Sequence, residues 1–201
     1  QERNSFREVL LLPRLRRSLR RLNSTLPDSA IEDAIAQFAG YEHPNLTITN
    51  KEIYRMLTEG VRVEIKDESG DSRGEIVRVF DFENPLNNEF LALNQYAVQG
   101  AERVRRPDVV VFVNGIPVAA FELKSPTTEE GTIRSGYKQL QEYKADIPEL
   151  FKYNQILVTS DLTEARHGTI TSPWEWFSVW RGIESEDERR EGVSELQVLA
   201  E

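Results

Sequence analysis

Leu11, Leu15, Leu19 and Leu22 recur at helical spacing, with Arg14, Arg17 and Arg21 on another side, and this predicts a helix over residues 5–22. Pro13 falls inside that window, where it ends, kinks or starts a segment. A second helix is expected over 28–38. Pro27-Asp28-Ser29 supplies its N-cap, Ala30, Ile31, Ala34, Ile35 and Phe38 form its apolar stripe, and Gly40 is its stop. A third is expected over 50–58, opening at Asn50 and closing at Gly60. The period then falls from near four to two. Val61, Val63 and Ile65 alternate with Arg62, Glu64 and Lys66, the signature of a half-buried strand. After a loop at 66–71, strands are expected at 75–82 and 90–98, with turn chemistry at Asn84, Asn87 and Asn88 between them. Val109–Val113 and Val118–Leu123 flank Asn114-Gly115, the strongest short hairpin signal in the chain. A helix should follow at 134–145 and a buried strand at 155–159. Trp174, Trp176, Phe177 and Trp180 then mark an aromatic edge or a helix packed on the body.

This order predicts an α/β (α+β) fold: a mixed, mostly antiparallel central sheet flanked by helices. A length of 201 residues with 39% hydrophobic content is enough for a real core and fits one domain. Its parts are a helical stretch at 1–60, a sheet-and-helix body at 61–160 and an aromatic, acidic segment at 161–201. The start at Gln1 and the stop inside VSELQVLAE read as a piece excised from a longer protein. The absence of Cys excludes a disulfide scaffold, a thiolate metal site and a Cys nucleophile, and two separated His argue against a multi-His zinc centre. No apolar run approaches the roughly 20 residues of a membrane helix, and the charged opening is no signal peptide. The net charge of −9 argues against DNA binding by the whole surface. It leaves local basic patches, at 14–21 and at 103–106, while acids gather at Glu184, Glu186, Asp187 and Glu188.

The candidate chemistry lies in Arg106-Pro107-Asp108, VVVFVNGIPVAAF and Glu122-Leu123-Lys124. Residues i and i+2 of a strand share a face, so Glu122 and Lys124 point the same way. Whether Asp108 joins them depends on the hairpin. A two-residue Asn114-Gly115 loop sets Asp108 opposite Phe121, on the wrong face. A three-residue loop at 113–115, or an equivalent bulge, sets it diagonal to Glu122, and this odd loop is the expectation. Asp108, Glu122 and the backbone carbonyl of Leu123 would then form an oxygen cage suited to Mg²⁺, with Mn²⁺ as a substitute. Lys124 would orient or deprotonate a water, or stabilise the transition state, in in-line hydrolysis of a phosphodiester. The plain alternative is an exposed hairpin end with a surface Glu–Lys pair of little energetic worth. Gly131-Thr132-Ile133-Arg134-Ser135-Gly136 is a near miss for a phosphate loop. It is read as a helix start, so no ATP site is expected.

The segments REVLLLPRL, AIEDAI, VRVFDFENPLNNEF, NQYAVQG, RRPDVVVFVNGIPVAAFELKSP, GYKQLQEYK, IPELFKYNQILVTSD and ARHGT carry a broader likeness. Over most of residues 6–183 the chain resembles the N-terminal nuclease domain of the R (motor and cleavage) subunit of type I restriction enzymes, in the PD-(D/E)xK nuclease superfamily. The resemblance implies a restriction-endonuclease-like core, with Asp108, Glu122 and Lys124 as the nuclease triad. It implies that Gln139 and Tyr143, four apart on one helix face, are the family's Gln-x-x-x-Tyr pair, which holds DNA or the lysine. It also implies that Glu32 is an added acid of the metal site, although a solvated helix Glu reads as well. Arg105, Arg106, Arg14 and Arg17 are candidate phosphate contacts. The implied partners are double-stranded DNA, helicase/translocase domains of the same full-length chain, and methyltransferase and specificity subunits. The implied location is the cytoplasm of a bacterium or archaeon. The rival readings are a stand-alone repair or defence nuclease of the same superfamily, and a non-catalytic DNA-binding or docking module.

Overall fold

The computed structural model describes residues 2–66, 70–125, 132–161 and 163–180. The acidic cluster at 184–188, the VSELQVLAE ending and Gly131 lie outside these residues. The chain divides into two compact units, one of residues 1–91 with 112–117 and one of 92–111 with 118–201.

In the first unit, helix α1 spans Leu12–Leu22 rather than 5–22. Pro13 starts it: the ring presets φ and lacks the N–H that a first turn leaves unused. Helix α2 covers Asp28–Gly40, and its N-cap is Pro27 with no side-chain cap, so the expected Asp-Ser cap does not form. Gly40 is its last residue rather than a stop beyond it. Helix α3 spans Leu46–Glu59, a turn longer than expected. Its cap is Asn45, whose side chain accepts the Thr47 and Ile48 N–H groups, so the β-branched run at 47–49 is helical because the cap and the burial of Thr49 outweigh weak propensity. Strands β1 (Val61–Lys66) and β2 (Ser72–Val77) form an antiparallel hairpin, with Val61 opposite Val77. Strand β2 ends five residues earlier than expected. Beyond it the buried Asp81 accepts the Glu83 and Asn84 N–H groups and the Asn87 amide, which folds 81–88 into a turn. Leu15, Leu19, Ile31, Phe38, Ile53, Leu57, Val63 and Val77 fill this unit's core.

The larger sheet has six strands, in the order β10-β9-β8-β7-β6-β3. Its strands are β3 (Phe90–Asn94), β6 (Val109–Val113), β7 (Ile116–Leu123), β8 (Ile156–Ser160), β9 (Ala165–Gly168) and β10 (Ser178–Val179). The expected strand at 90–98 breaks at Gln95, whose φ is +50°. A small ribbon of β4 (Val98–Gln99) and β5 (Val104–Arg105) follows it. Helix α4 (Ile133–Asp146), capped by Thr132, connects β7 to β8, which pair in parallel, and the short α5 (Pro148–Phe151) follows α4. The pairs β8–β9 and β9–β10 are antiparallel. This is the expected mixed, largely antiparallel sheet flanked by helices. The aromatic segment resolves into a turn at Trp174–Trp176 and the edge strand β10. Among the described residues no helix is long and apolar enough to cross a membrane.

The loop between β6 and β7 corrects the expected odd loop. Strand β6 ends at Val113 and β7 begins at Ile116, and Asn114 and Gly115 both have positive φ, +52° and +82°. That is the two-residue turn whose twist matches its strands. Asn114 is fully buried, and its side chain accepts the Glu89 N–H while donating to the Val79 carbonyl and to Asn88.

Candidate active site

The alternation rule that sets Asp108 on the wrong face does not reach it. Asp108 sits in a bend one residue before β6, after the buried Pro107, so its side chain is free of the strand's in-out order. Its carboxylate turns to the end of β7, where Oδ2 accepts the Leu123 N–H at 2.9 Å. Gln95 holds the other side. Its Nε2 donates to Asp108 Oδ1 at 2.7 Å and its backbone N–H donates to the Asp108 carbonyl at 2.9 Å. Both carboxylate oxygens are thus oriented by neutral donors.

Glu122 occupies the penultimate position of β7 and is only 2% exposed. It stands opposite Thr159 of β8, and α4 closes over that point because Gly136 leaves no room for a Cβ beside the Thr159 hydroxyl and close to the Glu122 carbonyl. Glu122 Oε1 accepts Lys124 Nζ at 2.8 Å. Glu122 Oε2 is buried, and among the described residues it has no hydrogen-bond partner. Burial, with the Asp108 carboxylate as a secondary cause, pushes the Glu122 carboxyl up to about 7, against the pull of Lys124.

Lys124 is held from two sides, since its Nζ also donates to Gln139 Oε1 at 2.5 Å. Gln139 in turn donates to the hydroxyl of the buried Tyr143, one helical turn on. Burial holds that phenol above its usual range, so it stays neutral and can accept. Arg105 lies over the Tyr143 ring at 5.6 Å and is clamped by Asp146 at 2.5 Å. The structure therefore joins Asp108, Glu122, Lys124, Gln139 and Tyr143 in one connected group.

The remaining candidates are engaged with other partners or exposed. Glu32, on α2 in the first unit, makes a two-pronged pair with Arg16 at 2.6 and 2.8 Å, which holds its carboxyl below the usual range. Arg14 pairs with Glu2 and Glu89, and Arg17 with Glu89. Arg105 is taken by Asp146, whereas Arg106 is exposed. His43 accepts the Asn45 N–H in a turn, and His167 lies edge-on to Trp180. Gln95 and Gly136 belong to the site without standing among the sequence-predicted residues. Their only signal in the sequence is that both fall inside segments carrying the family likeness, NQYAVQG and GYKQLQEYK.

Among the described residues no group of three or more His, Asp or Glu side chains converges as a metal cluster. The pair that does converge still fits a hard cation. Lys124 engages one oxygen of Glu122, while the other is desolvated beside a second carboxylate and has no donor among the described residues, so the pair can accept a further positive charge.

The family model described as "Type I restriction enzyme R protein N terminus" matches residues 1–176. The chain belongs to this family. It is 38% identical over 190 residues to the putative type I restriction enzyme MjaIXP endonuclease subunit of Methanocaldococcus jannaschii, covering 93% of this chain and 18% of that protein. It is 35% identical over 186 residues to the type I restriction enzyme HindI endonuclease subunit of Haemophilus influenzae, covering 92% of this chain and again 18% of the relative. The EcoprrI endonuclease subunit of Escherichia coli is 31% identical over 101 residues, 48% of this chain and 31% of that protein. The chain thus spans less than a fifth of the length of the first two relatives, and the type I R-protein family accounts for the whole stretch that carries the connected group.

Proposed function

We propose that this chain is the Mg²⁺-dependent endonuclease module of a type I restriction R subunit and hydrolyses DNA phosphodiester bonds on a PD-(D/E)xK core. The observation that carries the reading is the Glu122 carboxylate, buried beside Asp108, with Lys124 on one oxygen and, among the described residues, no hydrogen-bond donor on the other. Asp108, Glu122 and the Leu123 carbonyl would hold the ion, with Mn²⁺ as a substitute. When bound, the ion supplies the positive charge that offsets charge building on the phosphate and eases deprotonation of water. Gln95 and the Leu123 N–H keep the Asp108 oxygens aimed. Lys124 brings a cation to the edge of the site, where it orients the attacking water or meets the growing charge. Gln139 and Tyr143 restrict the lysine to that position, which limits the reorganisation needed during reaction.

In this reading recognition and methylation belong to partner subunits, and ATP-driven translocation to other domains of the full-length chain. The complex works on double-stranded DNA in the cytoplasm of a bacterium or archaeon. The test is Lys124→Ala and Asp108→Asn in the full-length R subunit, assembled with its partner subunits. Cleavage should fall by at least about 10²–10³-fold, the usual scale for losing one preorganised charge. DNA binding and ATP hydrolysis by the complex should persist. Cleavage at the unaltered rate in both variants would refute the nuclease assignment.

A further inference from the structure

The sheet register links the candidate active site to a second cluster in the same unit. Glu122 stands opposite Thr159, and Thr159 stands opposite Arg166 of β9, so the three form one row across β7, β8 and β9. Residues in such a row share a face. That face is the one α4 covers, since the Thr159 hydroxyl donates to the Ile133 carbonyl at 2.9 Å. At about 4.8 Å per strand, Arg166 lies about 10 Å from Glu122 at the backbone.

Arg166 does not stand alone. Its guanidinium carbon lies 4.9 Å from the centre of the Trp174 ring, and that of Arg134, from the first turn of α4, lies 5.8 Å from the same centre. Trp174 is fixed in turn by Tyr137, edge-on at 5.6 Å, and by Phe177, stacked at 6.3 Å. One indole therefore has two guanidinium groups within cation–π distance of its ring. Arg166 uses its Nε on Glu164 at 2.5 Å, and among the described residues its Nη groups have no carboxylate partner. Arg134 is exposed and has no carboxylate partner among the described residues. Arg14, Arg16, Arg17, Arg20 and Arg105 differ, because each is matched by an acid.

We infer that Arg134 and Arg166, both within cation–π distance of Trp174, form a subsite for backbone phosphates of the DNA strand running past the Asp108–Glu122 pair. The inference rests on the nuclease reading and names where that site grips its substrate. A guanidinium held at an aromatic ring has fewer rotamers to lose, and its N–H fork suits two-pronged contact with phosphate oxygens. At about 3.4 Å of rise per nucleotide, a strand whose scissile phosphate sits at Glu122 has a neighbour within reach of Arg166.

The test uses the 201-residue chain and a short fluorescent DNA duplex in Ca²⁺ at low salt, read by anisotropy across a salt series. Arg134→Ala should weaken binding about 10-fold, and the Arg134→Ala/Arg166→Ala pair more. The slope of log affinity against log salt should drop by about 0.9 for each phosphate that is no longer neutralised. Arg134→Lys should keep part of the slope and lose affinity, because the charge stays and the fork goes. Arg134 is exposed, so its variants keep the fold, which thermal unfolding checks. Unchanged affinity and slope in the Arg134→Ala/Arg166→Ala chain would overturn the subsite, as would a wild-type chain that does not hold the duplex. Lys124→Ala separates the two readings: in the full-length R subunit assembled with its partner subunits it should lose cleavage in Mg²⁺ or Mn²⁺. If Lys124→Ala cleaves normally, the nuclease assignment falls, and the subsite as a grip for the cleaved strand falls with it. If Lys124→Ala loses cleavage while Arg134→Ala/Arg166→Ala binds and cleaves normally, only the subsite falls.

Discussion

Replacing Glu122 by Gln should make the metal-free protein more stable, and increasingly so as pH rises. A carboxyl held at about 7 in the fold and near 4.5 in the unfolded chain prefers its proton in the native state. Between those values the folded state binds more protons than the unfolded one, so stability falls with rising pH. Below about pH 4 both states are protonated and the effect vanishes. Above pH 7 it reaches about 3 kcal/mol against folding, at about 1.4 kcal/mol per pH decade. The residue is buried, so solvent does not screen this effect away. For a chain of this size, 1 kcal/mol moves the midpoint by about 2–4 °C, giving a gap of about 6–12 °C. The assay is thermal unfolding of the wild type and Glu122→Gln in a chelator, at intervals from pH 4 to 8. The difference between the two proteins cancels titrations elsewhere, and any weakening of the Lys124 hydrogen bond enters as an offset that does not vary over this range. The gap should widen in favour of Glu122→Gln mainly between pH 5 and 7. A gap that stays flat, or closes as pH rises, would refute the account of Glu122 as a desolvated carboxyl beside a second carboxylate.

Millimolar Mg²⁺ or Mn²⁺ should raise the midpoint of the wild type at pH 8 in proportion to the logarithm of ion concentration, and leave Glu122→Gln unmoved; equal shifts in both would place the ion elsewhere. Gln95→Leu should leave Asp108 Oδ1 without its donor, so metal titrations of cleavage should require about tenfold more ion, while Lys124→Ala with full ion stays inactive. Arg105→Ala removes the Asp146 clamp and the cover over Tyr143, and chemical denaturation should show a loss of about 1–3 kcal/mol, with duplex affinity less affected than by Arg134→Ala. Gly115→Ala should cost more than about 2 kcal/mol by the same method, because φ is +82° and the new Cβ would press on the Leu11 carbonyl and the Leu15 amide.

Periodicity locates each of the three long N-terminal helices, the β6–β7 hairpin, α4 and β8, because each buries one regular face. The boundaries that differ do so where one polar side chain overrides the pattern. Asn45 opens α3 a turn early, and Asp81 ends the run after Val77 by gathering three donors around itself. Gln95 at positive φ cuts a strand that alternation carries through to 98. The parallel pairing of β7 with β8 lies outside what periodicity records, since it follows from the α4 crossover and not from either strand alone.

The two-residue turn and the assembled carboxylates show where strand logic stops. Alternation constrains a side chain only while its residue is held in the ladder, and Asp108 sits one residue outside it. There the backbone bends, and the direction of the carboxylate is set by Gln95 and by the last N–H of β7. Glu122, by contrast, is held inside the strand, buried and opposite Thr159. One acid is thus fixed by the sheet and the other by a loop that answers to it. This division explains why the spacing from Asp108 to Glu122 is uninformative by itself. It also explains why the segment containing Gln95, far from either acid in sequence, is needed to complete the site. The same reasoning marks Gln95→Glu as the harshest change available at that position. It would set a third carboxylate against Asp108 Oδ1, and repulsion would turn the Asp108 side chain away from Leu123 unless a cation held all three. Destabilisation of Gln95→Glu that added Mg²⁺ reverses would show that the loop and the strand end form one cation site. Destabilisation indifferent to the ion would show that Gln95 serves the fold alone.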